Sequence, residues 1–160
     1  IGIAGVAYNS NVVGLRLVAD DCTFSYEEDG MPNDEKVSNA LVHSLESIDI
    51  YTNSWGPDDN GRVLGGAGPL AIAALEKGIE EGRNGLGAIY TWDNGNGHNF
   101  KDQSNKDNFA NSRYTIAVGS VDWQVKQTSY SEWCSNLLIS APSSNDEENS
   151  FIFTTDVHDE

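Results

Sequence analysis

Residues 87–97, Gly-Ala-Ile-Tyr-Thr-Trp-Asp-Asn-Gly-Asn-Gly, constrain the fold more than any other stretch of the chain. An apolar run rich in β-formers, closed by Gly95 and Gly97 around Asn96, reads as a buried strand whose C-terminal end presents polar groups. Residues 12–18, 48–53, 114–122 and 137–142 also read as strands, and 150–157 as a last extended piece. Two helical patterns lie among them. Val37, Leu41 and Leu45 recur every four residues in a segment from Glu35 to about Glu46, with Asn33 or Asp34 as N-cap. Leu70, Ile72, Ala73, Leu75 and Ile79 follow Pro69 in a second helix that Gly82 ends. Strands alternating with helices predict an α/β domain on a mostly parallel, doubly wound sheet. Ligands of such sheets bind beyond the C-terminal ends of the strands, where Gly95-Asn96-Gly97 falls. There the glycines let the backbone turn sharply and the Asn96 amide can donate to a developing negative charge; the same letters also suit a strand that simply ends in a turn.

Lys+Arg 9 against Asp+Glu 25 leaves a net charge of −16, which repels nucleic acid and anionic membrane surfaces and favours cationic ligands or metal ions. No apolar run approaches the roughly 18 residues of a membrane span. Cys22 and Cys134 allow at most one internal disulfide and cannot form a zinc site by themselves. Residues 20–34 read as a solvated acidic loop, and Asp146-Glu147-Glu148 as a loop tip. Residues 98–112 form a polar, aperiodic loop longer than compact domains usually carry without a functional reason.

Five strings occur in order: Asn53-Ser54-Trp55-Gly56-Pro57-Asp58-Asp59-Asn60-Gly61, Gly82-Arg83-Asn84-Gly85-Leu86-Gly87-Ala88-Ile89-Tyr90, Gly95-Asn96-Gly97, Asn111-Ser112-Arg113-Tyr114 and Tyr130-Ser131-Glu132-Trp133-Cys134-Ser135. Together they resemble the kexin/furin branch of the subtilisin-like serine proteases. The resemblance covers nearly the whole chain. It implies a subtilisin-like fold in which residues 1–160 are the central part of a single catalytic domain, lacking the segments with the catalytic Asp, His and Ser. The family's Asp-Asp-Gly, His-Gly-Thr and Gly-Thr-Ser-Ala strings do not occur, and His43, His98 and His158 stand in other contexts. A Ser-His-Asp catalyst needs all three groups in contact, so this chain taken alone is expected to be inactive.

The resemblance also assigns roles. Asn96 corresponds to the asparagine that donates to the oxyanion. Ser54, Trp55, Gly56 and Pro57 correspond to the wall of the S1 pocket, Asp59 to an acid facing it and Asp107 to the acid at its base. Trp92, Asp93 and Asn94 lie beside it. An acidic pocket of this kind implies cleavage after Arg or Lys, often after a basic pair. Asp59, Asp102 and Glu132 match three carboxylates that hold Ca²⁺, a hard ion suited to oxygen ligands from separate loops. The implied partners are peptide or protein substrates with basic residues, the rest of the catalytic domain and a downstream domain. The implied location is the secretory pathway or outside the cell.

The chain departs from the family at several points. Asp93 replaces a small residue and is either an extra pocket acid or an outward-pointing one. The acids that recognise an arginine four residues before the cut fall on Val42 and Gly65, and the cysteine that would pair with Cys134 is Ser104. Ile1 to Ile3 resemble the start of a second calcium loop, to which no ligand is assigned. Taken literally, the chain also suits a non-catalytic calcium- or peptide-binding pseudoprotease module. A nucleotide-binding domain, suggested by Gly65-Gly66-Ala67-Gly68 before a helix, fits poorly because no Gly-Lys-Ser/Thr occurs and the charge opposes phosphate.

Overall fold

The structure is a computed structural model that describes residues 5–17, 32–144 and 152. Cys22, Ile1 to Ile3, most of the acidic loop, the 146–148 acids and the extended piece expected at 150–157 lie outside the described residues, apart from Ile152.

A parallel sheet of order β1-β2-β3-β4 forms the frame, with β1 at Ile50–Asn53, β2 at Ile89–Asp93, β3 at Ile116–Val121 and β4 at Ile139–Pro142. Parallel neighbours need long crossovers. Helix α2, Pro69–Gly85, carries the chain from β1 to β2, and the polar loop after β2, with two short 3₁₀ turns, carries it to β3. That crossover role accounts for the loop's length. Helix α1, Asp34–Leu41, precedes β1.

Alternation along the strands sets the faces. Tyr51 on β1 pairs in register with Tyr90 on β2, and Trp92 with Ala117 on β3; all four are buried. The three aromatic residues share a core with Val37 and Leu41 of α1, Leu45, and Ala71, Ala74 and Leu75 of α2. Ile50 and Thr52, on the other face of β1, are exposed. The tyrosine rings stack at 4.9 Å, and their hydroxyls donate to the carbonyls of His43 (2.6 Å) and Leu41 (2.7 Å). Those carbonyls lie at the end of α1, where no helical partner remains for them. Each such bond is worth about 1 kcal/mol net.

The caps follow the sequence in part. Asn33 accepts from Glu35 N at 2.8 Å. Asp34 serves the other helix: its carboxylate accepts from Leu70 N and Ala71 N, both at 2.9 Å, in place of the side chain that the N-cap Gly68 lacks. Two expectations need correction. Regular α1 ends at Leu41, not near Glu46; turns continue to Ser47, with Ser44 at φ 51°, and still bury Leu45. Residues 12–17 form no strand, and Val12 and Val13 are exposed, because a β-branched run becomes a strand only against a neighbour. Leu15 and Leu17 nonetheless pack on the core. No helix among the described residues is long and apolar enough to cross a membrane.

Candidate active site

The C-terminal ends of β1 and β2 open onto a cavity of about 130 Å³. It is lined by Ser54 to Asp59 and Val63 after β1, Asp93 to Asn96 at and beyond the end of β2, Asp102, Gln103, Lys106 and Asp107 in the crossover loop, and Glu132 after β3. Of the residues that the sequence picks out, Ser54, Trp55, Gly56, Pro57, Asp59, Asp93, Asn94, Asn96, Asp102, Asp107 and Glu132 all lie along it.

Trp92 does not. Only 1% exposed, it stacks on Phe109 at 4.5 Å and donates its indole N–H to Trp55 O at 2.7 Å. Trp55 stands edge-on to both rings. Trp92 is therefore a support beneath the pocket and no part of its lining. Its neighbour Asp93 lines the cavity, as strand alternation requires.

Asp107 and Asp93 are both pushed up to about 6. For Asp107 the chief cause is burial, opposed by the N–H groups of Phe109 and Ala110 and reinforced by the charges of Asp93 and Asp59. For Asp93 it is burial and then the charge of Asp59, with Gly95 N–H pulling the other way. Phe109 N donates to Asp107 Oδ1 at 2.7 Å, and a Cβ on Gly56 would lie 3.1 Å from Asp107 Oδ2, so this oxygen faces the Gly56 backbone. Carboxylates raised by burial and by neighbouring acids in a partly dry cleft have too little positive charge beside them.

Asn96 is exposed at the rim. Its backbone N–H and its side-chain amide both donate to Asp59 Oδ2, at 3.0 and 3.2 Å. Asn94 is buried and turned inward, with its amide donating to Ser131 Oγ (3.0 Å) and to Glu132 O. It ties the end of β2 to the segment bearing Glu132.

Glu132 is buried and pushed up to about 7, first by desolvation, against the donation of Gly97 N at 3.1 Å; Asp102 and Asp59 push it further. A Cβ on Gly97 would lie 2.6 Å from Asp102 Cβ, 2.7 Å from Glu132 Oε1 and 3.2 Å from Asp59 O, so Asp59, Asp102 and Glu132 converge on this one glycine. Gly95, at φ 82°, leaves similar room against Glu132 and Asp59. Glu132 Oε1 and the Asp59 oxygens at this side-chain-free cradle are of the kind a hard cation takes, whereas Asp102 presents its Cβ there. Their present engagements differ: among the described residues no three such side chains form a ready coordinating group. Asp102 accepts from Gly61 N (2.7 Å) and Gln103 N (2.9 Å), and Lys106 Nζ stands 3.4 Å from it.

Lys106 escaped the sequence reading, although its position four residues after Asp102 was the available signal. Cys134 is a free thiol, and Ser104 donates to Asn136 at 2.9 Å.

The subtilase family model matches residues 1–159. The chain is 40% identical over 153 residues to a kexin of Candida albicans, covering 96% of this chain and 15% of that protein. It is 37% identical to furin-1 of Xenopus laevis, covering 18% of it, and 35% identical to proprotein convertase subtilisin/kexin type 5 of Rattus norvegicus, covering 8%. The chain thus spans less than a fifth of each of these three relatives. With the parallel α/β frame and the match over nearly every residue, the chain belongs to the subtilase family of peptidases.

Proposed function

We propose that this chain forms the substrate-recognition part of a serine endopeptidase of the kexin/furin kind, cleaving after Arg or Lys. The observation that carries the reading is the sharing of one cavity by Asp59, Asp93 and Asp107, with Asp93 and Asp107 driven up to about 6 by burial and by the charge of neighbouring carboxylates. A P1 guanidinium or ammonium supplies the charge these acids lack, through hydrogen bonds that a neutral side chain cannot make. Asn96 turns its amide from Asp59 Oδ2 to the oxyanion as charge develops there, which stabilises the transition state more than the ground state. Asp59, Asp102 and Glu132 are the proposed holders of Ca²⁺, which when bound neutralises these carboxylates and braces the loops of the cleft. The nucleophile and its base belong to other parts of the domain. Residence in the secretory pathway or outside the cell, where calcium is available, is part of the same proposal.

The test is the P1 preference of the full-length protein. Asp107→Asn should lower kcat/KM for Arg and Lys substrates at least tenfold, because losing a buried charge partner costs about 2–5 kcal/mol and the remaining acids soften the loss. If Asp93 also holds the cation, the Asp93→Asn/Asp107→Asn double variant loses markedly more than either single variant. Full preference for Arg over Leu in all three variants would refute the pocket.

A further inference from the structure

We propose that the Lys106 ammonium is a built-in competitor for the cation site, holding Asp102 as a monovalent counter-ion that a divalent ion must displace. Lys106 ends the 3₁₀ turn Ser104–Lys106 and reaches back over one turn. Its Nζ lies 3.4 Å from Asp102 Oδ1 and 3.4 Å from Gly61 O, a carboxylate and a carbonyl of the kind a hard divalent ion takes as ligands. Among the described residues lining the cavity it is the one basic side chain, against Asp58, Asp59, Asp93, Asp102, Asp107 and Glu132.

The geometry makes this pair matter. The Asp102 side chain is 8% exposed, so its attraction to the ammonium is weakly screened by solvent. Lys106 is 35% exposed, so its flexible stem can swing toward water when a stronger cation arrives. An ammonium left close to a divalent ion repels it, and on Asp102 Oδ1 it occupies an oxygen that such an ion would take as a ligand.

The inference rests on the proposed cation site at Asp59, Asp102 and Glu132, and the experiment separates the two. Calcium binding to the full-length protein is measured by isothermal titration calorimetry and by the calcium dependence of Tm, for wild type, Lys106→Met, Lys106→Arg and Glu132→Gln. Lys106→Met should bind Ca²⁺ roughly tenfold more tightly, and its Tm should respond at correspondingly lower calcium. Lys106→Arg, which keeps the charge, should bind no more tightly than wild type, and Glu132→Gln should bind less tightly. Equal affinity of wild type and Lys106→Met, with Glu132→Gln weakened, leaves the cation site standing and overturns the role of Lys106. If Glu132→Gln binds as wild type does, or no variant binds, the cation site is wrong and the competitor falls with it. Should Lys106→Met fail to fold, Lys106→Gln carries the same comparison.

Discussion

Gly97→Ala is the sharpest perturbation of the cradle that gathers the carboxylates. The backbone at Gly97 is ordinary, with φ −86° and ψ 14°, so any L-residue can adopt it and strain is not the issue. The methyl would meet Asp102 Cβ at 2.6 Å and Glu132 Oε1 at 2.7 Å, both closer than real Cβ contacts come. The tip of Glu132 can move. Asp102 Cβ cannot move without its backbone, and its carboxylate is pinned by Gly61 N and Gln103 N. The cost therefore belongs near the upper end of the range for overpacking, about 2–3 kcal/mol. For a domain of roughly 150–250 residues each kcal/mol shifts Tm by about 2–4 °C, so a loss of roughly 5–10 °C is expected. Gly14→Ala is the control, because nothing lies within 4 Å of a Cβ there. Thermal unfolding of both variants, with and without calcium, gives the comparison. If Gly97→Ala melts with the Gly14→Ala control, the acids do not converge on this glycine.

Asn96→Ala should lower kcat of the full-length enzyme by roughly 10²–10³-fold with KM little changed, a magnitude borrowed from subtilisin and not worked from this site; an unchanged kcat would mean that another group fills the oxyanion hole. Without cations, stability should fall as pH rises from about 4 through 7. Asp93, Asp107 and Glu132 have native values of about 6, 6 and 7, raised above their unfolded ones, so the native state holds the extra protons in that window and loses this advantage as they dissociate. Chemical denaturation at pH 5 and pH 8 in chelator tests the sign, and equal or greater stability at pH 8 would contradict it. Asp34→Ala should cost about 1 kcal/mol by uncapping α2, read from denaturant midpoints, and Asp34→Asn should recover only part of it, because its amide offers one acceptor oxygen to two N–H groups.

Much of the frame was legible because its signals are local. Asn33 before Glu35, Pro69 at the start of α2 and the apolar run into Gly95 each act within one turn of chain, and each places an element where it is found. What escaped depends on partners far along the chain. Residues 12–17 look like a strand and are not one, since pairing is a property of two segments. Asp34 has the composition of a local cap, yet it serves a helix 36 and 37 residues away. Trp92 and Asp93 could be told apart only by knowing which strand face the helices cover, because alternation puts neighbours on opposite sides without saying which is inside. The acids of the cavity were visible by resemblance, but the hold of Lys106 on Asp102 needs the turn that brings Nζ back across Gly61.

The cavity's chemistry follows from how the fold keeps its carboxylates in place. Five of the six are held by backbone N–H groups: Asp107 by Phe109, Asp93 by Gly95, Glu132 by Gly97, Asp102 by Gly61 and Gln103, and Asp59 by Asn96. A backbone dipole can aim a carboxylate oxygen but adds no net charge, and for Asp93, Asp107 and Glu132 burial outweighs it. Donors of this kind fix the geometry of Asp93 and Asp107 before a ligand arrives, so a basic side chain entering beside them meets acids already aimed. An arriving cation also relieves repulsion that is already present, a gain that a neutral side chain of the same size cannot collect. On the proposed reading, selectivity for a basic residue at this site is built partly from the repulsion among these acids. Removing one acid should therefore weaken the preference less than the loss of one isolated ion pair would, because it also lowers the repulsion that the cation relieves.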